Sequence, residues 1–216
     1  CSNCGQLLKT ADAINQSEMR EMSERGASMS ASVGARWTVE TVTVLLVGRS
    51  GAGKTCALTS YKKGEYVDGC IPSIGTRFES KPTTVGDLCI QGLFWDTAGR
   101  NRYDGITRGV MCDALIRKSP DRNCVMLLFC MASEEGFRNA RELWDTFNLA
   151  TSETPVLLVG TKVDLCDGDG AAARGRGEAL AVELNANGFI ATSSMTRENL
   201  VEAFEKAARI AYKLFD

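Results

Sequence analysis

Short hydrophobic runs alternate along the chain with segments in which apolar residues recur at helical spacing. Most of the runs are rich in Val, Leu, Ile and Phe and end at glycine, aspartate or a polar turn, which is typical of buried strands. They predict strands at residues 41–47, 78–85, 88–95, 124–130, 155–160 and 189–191. The segments between them predict helices at residues 54–62, 102–117, 134–148 and 171–185, and a long C-terminal helix carrying Leu200, Phe204, Ala208, Ala211 and Phe215.

This order of elements predicts an α/β fold. Strands that are apolar throughout and alternate with helices indicate a mainly parallel sheet that is covered on both faces. Ligands of such sheets bind beyond the carboxyl ends of the strands. We therefore expect the functional residues directly after Val47, Trp95, Val159 and Ala191.

Residues 1–37 follow a different pattern. They are rich in Ser, Met, Glu, Arg and Gly and show little apolar periodicity. We predict a flexible N-terminal extension here, followed by a globular domain at residues 38–216. A partner-binding helix at residues 12–24 stays open as an alternative.

Composition excludes several kinds of chemistry. The chain contains no histidine, so it has no Ser-His-Asp triad, no Cys-His pair and no His-ligated zinc of its own. Its 25 basic and 27 acidic residues give a net charge of −2, which gives no reason to expect a nucleic-acid polymer as a partner. Any reaction must therefore use carboxylates, hydroxyls, lysine, backbone amides or a bound cation.

The nine cysteines form no regular disulfide framework, so we expect a reduced, cytoplasmic protein. Cys1 and Cys4 form the only C-x-x-C pair, either half of a zinc site or two thiols of a solvated terminus. The longest apolar run, residues 124–132, is shorter than the ~20 residues that span a bilayer, so we expect no transmembrane segment. The final residues contain no cysteine for prenylation, and peripheral membrane association stays open.

A phosphate-binding motif follows the first predicted strand. Residues 48–55, Gly-Arg-Ser-Gly-Ala-Gly-Lys-Thr, match G-x-x-x-x-G-K-[ST] between a strand and a helix. The amides of such a loop and the helix N-terminus together form a nest for phosphate oxygens. Lys54 would add positive charge at the β- and γ-phosphates, and the Thr55 hydroxyl can ligate Mg²⁺.

Two carboxylates follow later strands at the same edge of the predicted sheet. Asp96 begins Asp-Thr-Ala-Gly after the third strand, where P-loop proteins place a second Mg²⁺ anchor. Asp164 ends Thr-Lys-Val-Asp after the fifth strand. Its carboxylate can accept hydrogen bonds from N1–H and the amino group of guanine, a donor pair that adenine lacks, while the Lys162 stem lies along the base.

With these motifs the chain resembles the Ras-like small GTPases, with Rab-like spacing and some Rho-like features. The resemblance covers residues 41–215 and implies a P-loop NTPase fold, a Ras-like G domain with a six-stranded, mainly parallel sheet flanked by helices. It implies GTP/GDP and Mg²⁺ as ligands and a role as a molecular switch in intracellular signalling or vesicle trafficking. Effectors, exchange factors and GTPase-activating proteins would read the segments around Ser73 and Gly99.

The resemblance also assigns individual residues. Residues 72–78 and 95–103 resemble the two switch segments, and residues 192–196 resemble the last guanine-binding loop. The implied nucleotide-binding residues are Ser50, Gly51, Ala52, Gly53, Lys54, Thr55, Cys56, Tyr66, Ser73, Gly99, Thr161, Lys162, Asp164, Ser193, Ser194 and Met195. The implied metal ligands are Thr55, Ser73 and Asp96, and the implied catalytic residues are Lys54, Gly99 and Arg100.

Arg100 departs from the family pattern, because it stands where the family has a glutamine that orients the attacking water. A guanidinium cannot accept a hydrogen bond from water as an amide oxygen does, although it could pair with a γ-phosphate oxygen. We therefore expect slow GTP hydrolysis. The alternatives are a pseudo-GTPase interaction module with negligible turnover and an ATP-dependent P-loop enzyme, which would leave Asp164 unexplained.

Other departures are milder. Ser73 replaces a threonine of the first switch and keeps a hydroxyl for Mg²⁺, and Thr161 replaces the commoner asparagine, as in many Rho proteins. Ser194 replaces an alanine whose backbone N–H serves guanine in the family. Residues 105–123 form a longer stretch than in a Rab, either a solvated surface insertion or an effector surface of this protein.

Overall fold

A computed structural model describes residues 36–70, 76–85, 88–100, 122–149, 154–168 and 170–212, with the backbone alone at residues 36–39, 84, 85 and 89. All structural statements below refer to these residues. Several predicted features lie outside them: the N-terminal extension up to residue 35, Ser73, the helix at residues 102–117 and most of the longer stretch at residues 105–123.

One six-stranded sheet forms the centre of the fold, as predicted, in the order β2-β3-β1-β4-β5-β6. The strands are β1 (Arg36–Val47), β2 (Arg77–Val85), β3 (Leu88–Asp96), β4 (Asn123–Cys130), β5 (Val156–Thr161) and β6 (Phe189–Ala191). Only β2, at one edge, runs antiparallel to its neighbour β3. The other pairings are parallel, so the carboxyl ends of β1, β3, β4, β5 and β6 meet along one edge.

Four α-helices cover the two faces of this sheet in the described part of the chain. They are α1 (Lys54–Lys63), α2 (Glu134–Thr146), α3 (Ala171–Glu183) and α4 (Leu200–Ala211), and a short 3₁₀ helix occupies Val163–Leu165. The cap predicted for α2 is present, because the Ser133 hydroxyl accepts a hydrogen bond from the Gly136 amide at 3.2 Å. The helix predictions at residues 54–62, 134–148 and 171–185 are thus confirmed to within two residues at each end.

The hydrophobic core is divided by the sheet into two layers. In β1, Val44 and Leu46 face α1 and α4, where Phe204 stacks on Tyr61 with ring centroids 4.2 Å apart. Leu45 and Val47 face the opposite layer, together with the apolar residues of α2 and α3. Because both faces are covered, the strands are apolar at successive positions, which is the pattern that predicted a parallel sheet.

Strand β1 begins earlier than predicted. The pattern placed its start at residue 41, whereas the strand starts at Arg36 and pairs there with Leu88 at the start of β3. A register shift between Trp37 and Thr41 interrupts the pairing. The long β2–β3 hairpin therefore supplies an extra partner for residues whose own pattern is too polar to predict a buried strand.

Three side chains meet at the amino-terminal end of this sheet. Glu40 of β1 accepts a hydrogen bond from the Tyr212 hydroxyl, just after α4. Arg122, just before β4, lies 2.9 Å from the Glu40 carboxylate and places its guanidinium 4.7 Å from the Tyr212 ring centroid. This cluster joins the first strand to the end of the last helix.

No helix among the described residues is both long enough and apolar enough to cross a membrane.

Gly136 should tolerate no side chain. A Cβ at this position would overlap the backbone carbonyl of Cys130. Gly136→Ala must therefore push α2 away from β4, and we expect it to lower the free energy of unfolding by about 1–3 kcal/mol. Gly175→Ala is the matched control, because a Cβ there has no heavy atom within 4 Å.

Urea unfolding of both variants checks this prediction. Gly175→Ala should raise the free energy of unfolding by about 0.5–1 kcal/mol, since alanine loses less backbone entropy than glycine in a helix. Equal effects of the two substitutions would contradict the packing argument.

Candidate functional site

The loop between β1 and α1 lies at the carboxyl edge of the sheet. Gly51 and Gly53 both have φ of 84°, a left-handed conformation that residues with a side chain rarely adopt. Gly53 precedes α1 and provides no side-chain cap for its first turn. An anion at this end of α1 would be favoured by the helix dipole.

Lys54 lies beneath this loop and is held by its carbonyl groups. Its ammonium donates hydrogen bonds to the carbonyl oxygens of Gly48 at 2.6 Å and Arg49 at 3.3 Å. Only 6% of the residue is exposed. The pKa of Lys54 is lowered to about 8, mainly by burial; the nearby Asp96 carboxylate opposes the shift and Arg49 adds to it. A phosphate beside this desolvated ammonium would interact with it strongly.

Asp96 and Thr55 bring two hard oxygen donors together. Asp96 ends β3, is almost fully buried, and accepts a hydrogen bond from the Thr55 hydroxyl at 2.7 Å. A carboxylate and a hydroxyl suit Mg²⁺, which prefers oxygen ligands. This donor set therefore fits the predicted metal, as far as these two residues are concerned.

The segment after β3 is packed directly against the phosphate-binding loop. The Gly99 carbonyl accepts a hydrogen bond from the Ser50 amide at 2.7 Å. A Cβ at Gly99 would lie 2.5 Å from both the Ser50 nitrogen and the Lys54 ammonium. Glycine is required by this close approach, which brings the predicted second switch to the predicted phosphate site.

A cavity of about 360 Å³ opens between these elements. Its lining comes from the phosphate-binding loop, α1, the segment after α1, the segment after β3 and the loop after β5. The lining residues are Ser50, Gly51, Gly53, Lys54, Thr55, Cys56, Tyr66, Val67, Asp68, Gly69, Cys70, Thr97, Gly99, Arg100 and Lys162. The structure therefore brings ten of the predicted site residues onto one concave surface, and Arg100 is among them.

Thr161 stabilises the phosphate-binding loop and is not part of the cavity lining. Its buried hydroxyl donates toward two carbonyl oxygens, Ala52 at 2.9 Å and Phe129 at 3.0 Å. These contacts connect the phosphate-binding loop to the ends of β4 and β5. Ala52 is itself buried, with 5% of its surface exposed, so its side chain is part of the core.

The two loops predicted to recognise guanine lie side by side. The Thr192 amide donates to the Gly160 carbonyl at 2.7 Å, and the Val163 amide donates to the Thr192 carbonyl at 3.2 Å. Lys162 has a left-handed φ of 60° and lines the cavity, while Asp164 is exposed. The Asp164 carboxylate is thus accessible to solvent, although Asp164 is not part of the cavity lining.

The loop after β6 is held by hydrogen bonds, and its side chains differ in their exposure to solvent. Ser193 is buried; its hydroxyl accepts a hydrogen bond from the Thr196 amide at 3.1 Å, and its amide donates to the Glu198 carbonyl at 3.1 Å. Ser194 is half-buried and Met195 is 62% exposed. None of these three side chains is part of the cavity lining, so any contact with a ligand there would involve the loop backbone or the outer rim.

Several residues of the site have no signal in the sequence. Thr97 donates a hydrogen bond to the Leu46 carbonyl at 2.8 Å and thereby fixes the segment after β3 to β1. Arg174 of α3 pairs with Glu198 at 2.6 Å and braces the loop after β6. Cys70 lies on the cavity wall because the chain turns back after α1. These contacts depend on the fold, and no local pattern indicates them.

The geometry described above is that of a P-loop nucleotide-binding site, and comparison with known proteins agrees with it. The Ras family model matches residues 43–213. The probable Ras-related protein Rab-4A of Echinococcus multilocularis is 33% identical over 168 residues, which span 77% of this chain and 71% of that protein. The Ras-related protein SEC4 of Saccharomyces cerevisiae is 30% identical over 80% of this chain and 76% of its own length.

A Rho-like relative is also found. The Ras-like GTP-binding protein RhoL of Drosophila melanogaster is 27% identical over 77% of this chain and 84% of that protein. The chain belongs to the Ras family of small GTPases, and its similarity to Rab proteins is confirmed. Members of this family bind guanine nucleotide with Mg²⁺ and act as switches through partner proteins.

Proposed function

We propose that this chain binds GTP and GDP with Mg²⁺ in the 360 Å³ cavity and acts as a GTP/GDP switch in intracellular signalling or vesicle trafficking. The observation that carries the proposal is the convergence of Lys54, Thr55, Gly99 and Lys162 on that cavity in a chain of the Ras family. The phosphates would lie against the loop amides and Lys54. The base would lie at the opposite end, next to Lys162 and Asp164.

Thr55 and Asp96 would hold the metal. Among the described residues no cluster of three or more Cys, Asp or Glu side chains can hold a metal ion, so the remaining ligands would be phosphate oxygens, water and the predicted Ser73. When bound, Mg²⁺ neutralises charge on the phosphates. The chain's own contribution is to orient them through fixed amides and the Lys54 ammonium.

We further propose that GTP hydrolysis is slow. Arg100 lines the cavity next to Gly99, at the position where the family has a glutamine. Its guanidinium is a donor only, so it cannot accept a proton from the attacking water or hold its lone pair toward phosphorus. The water would therefore be poorly oriented, although the loop amides and Lys54 would still stabilise the phosphates.

The second candidate function is a pseudo-GTPase module that holds GTP or GDP with negligible turnover. Arg100 is the specific observation that favours it, because a guanidinium paired with the γ-phosphate would stabilise bound GTP. In both functions, effectors and regulators would contact the segments around Ser73 and Gly99, the first of which lies outside the described residues.

Two measurements test these functions. The purified protein is denatured, its released nucleotide is identified, and single-turnover hydrolysis of bound GTP is then followed. We expect a guanine nucleotide and hydrolysis slower than roughly 10⁻⁴ s⁻¹. Bound GTP without detectable hydrolysis would identify the module, whereas an adenine nucleotide or rapid turnover would overturn the proposal.

The lowered pKa of Lys54 predicts a pH dependence of nucleotide binding. In the empty protein its pKa is about 8, so the ammonium loses its proton above that pH. Phosphates stabilise the charged form, and binding above pH 8 must therefore take up a proton. We expect the affinity for GDP to fall by up to about tenfold per pH unit above pH 8.

Fluorescence titration of the wild type and of Lys54→Met across this range checks the prediction. The variant retains any titration of the guanine base but lacks the ammonium, so it should show a smaller decrease. The free energy of unfolding gives a second test of the Lys54 pKa. In the wild type, burying the charged ammonium destabilises the fold fully below pH 8, and this cost is relieved as the pH rises above 8. Only the wild type should therefore gain stability above pH 8. Parallel pH profiles would contradict the assignment.

A further inference from the structure

Two cysteine thiols lie together on one wall of the cavity. Cys56 is in the first turn of α1, and Cys70 is on the segment that follows Tyr66. The Cys56 sulfur donates to the Val67 carbonyl oxygen at 3.5 Å, and the Cys70 sulfur donates to the same oxygen at 3.4 Å. The two side chains therefore converge on one atom, although they are separated by a helix and a loop.

The chain reversal after α1 produces this convergence. Gly64 ends α1 with a left-handed φ of 78°, and its amide donates to the Ser60 carbonyl at 3.0 Å. The Val67 amide then donates to the Ser60 hydroxyl at 3.3 Å, so the segment runs back along the helix. The segment reaches the first turn of α1 at Cys70.

We infer that Cys56 and Cys70 are an oxidisable pair, which a peroxide converts into a reversible disulfide between α1 and the segment 64–70. One thiol attacks the peroxide as thiolate, the O–O bond breaks, and a sulfenic acid and water are formed. The second sulfur attacks the sulfenic sulfur, the S–O bond breaks, and a second water leaves with the remaining thiol proton. Two thiols are oxidised by two electrons and one peroxide is reduced to two waters.

The two thiols differ in their roles. Burial, followed by the neighbouring Cys56 thiol, raises the pKa of Cys70 to about 11. Cys70 therefore remains mostly protonated near neutral pH, and it resolves a sulfenic acid formed on Cys56 only through its small thiolate fraction. The other free cysteines in the described part lie elsewhere: Cys124 is fully buried, and Cys130 and Cys166 are not part of this wall.

The disulfide would act on the nucleotide site, and this consequence rests on the proposed function. Tyr66 lies on the segment that the bond would fix to α1 and lines the same cavity. Opening of this wall would widen the exit for a bound nucleotide, and a crosslink between Cys56 and Cys70 would restrict that opening. We expect the release of GDP to become about tenfold slower after oxidation, and to recover with a reductant.

Peptide mapping tests the crosslink without reference to nucleotide. The full chain is treated with hydrogen peroxide, free thiols are alkylated, and trypsin then separates residues 55–62 from residues 64–77. We expect these two peptides to be joined, two hydrogen atoms lighter than their sum, and to separate on reduction. Oxidation of Cys166 or formation of a Cys130–Cys166 link, without this joined pair, would overturn the inference.

Release of a fluorescent GDP analogue tests the consequence. Oxidation should slow its release from the wild type and from the matched control Cys166→Ser, but not from Cys56→Ser or Cys70→Ser. The wild-type comparison before and after reduction needs no substitution and stands even if a variant fails to fold. Unchanged release from a crosslinked protein would refute the effect of the disulfide on GDP release. Failure to bind any guanine nucleotide would refute the proposed function, and the peptide map alone would then decide whether the crosslink forms.

Discussion

Lys54→Met should lower the affinity for GDP by at least about a hundredfold while leaving the empty protein at least as stable as the wild type. Truncating one member of a buried charge pair typically costs about 2–5 kcal/mol, and the Lys54 ammonium lies in a buried position beside the predicted phosphate site. In the empty protein this ammonium is already destabilised by burial, as its pKa of about 8 indicates. Methionine keeps the volume of the side chain and removes the desolvated charge.

Lys62→Met provides the matched control. Lys62 lies at the other end of the same helix, is half-exposed, and pairs with Glu79 at the surface. The control should change GDP affinity by less than about twofold, since surface ion pairs contribute little. Titration with a fluorescent GDP analogue and urea unfolding measure the two effects. Equal losses of affinity in both variants would show that Lys54 has no particular role at the phosphates.

Arg100→Gln should accelerate single-turnover GTP hydrolysis by about tenfold or more, because positioning of a reacting water is worth factors of this size. The amide oxygen can accept a hydrogen bond from the attacking water, whereas the guanidinium only donates. Arg100 is exposed on the cavity lining, so the substitution should leave folding unchanged. Thermal unfolding of the variant checks that the rate difference does not come from instability.

Arg100→Ala separates the two physical effects. It removes the guanidinium without supplying an amide, so its hydrolysis should remain close to that of the wild type. If alanine accelerates hydrolysis as much as glutamine, the guanidinium is an obstacle and water orientation is not limiting. If both variants are slower than the wild type, Arg100 stabilises the transition state, as an arginine finger does, and the proposed cause of slow hydrolysis is wrong.

The fold could be predicted because the central strands β1, β4 and β5 are apolar on both faces. That pattern follows from a sheet covered by helices on either side, and it placed β4 and β5 to within one residue of their observed bounds. The start of β1 was wrong by five positions because Arg36 is in a strand only through its pairing with Leu88. Local pattern indicates burial, and it fails where a distant partner determines the structure.

The candidate site likewise contains residues whose position could be predicted locally and residues whose contacts depend on distant parts of the chain. Asp96 ends β3, and Lys54 and Thr55 begin α1 after the loop that follows β1, so the topology predicted that they would meet, and they do. Thr161 ends β5, but its hydroxyl is directed to the Ala52 and Phe129 carbonyls rather than to the cavity. Motif position predicted its neighbourhood, whereas the direction of its hydrogen bonds depends on the backbone conformation of two other loops.

Cys70 illustrates what no motif could indicate. Its proximity to Cys56 depends on a left-handed turn at Gly64 and on the hydrogen bond from the Val67 amide to the Ser60 hydroxyl. Neither contact repeats a pattern that can be recognised in one sequence.

The Glu40–Arg122–Tyr212 cluster identifies the end of the sheet at which the protein can be attached to a surface. Arg36 and Tyr212 both lie toward the amino-terminal ends of the parallel strands, and the cavity lies at their carboxyl ends. The eight residues from Glu40 to Val47 span roughly 23 Å of strand. A bead, chip or fluorophore linked before Arg36 or after Tyr212 would therefore leave the mouth of the cavity facing solution, so nucleotide exchange could be followed on single tethered molecules.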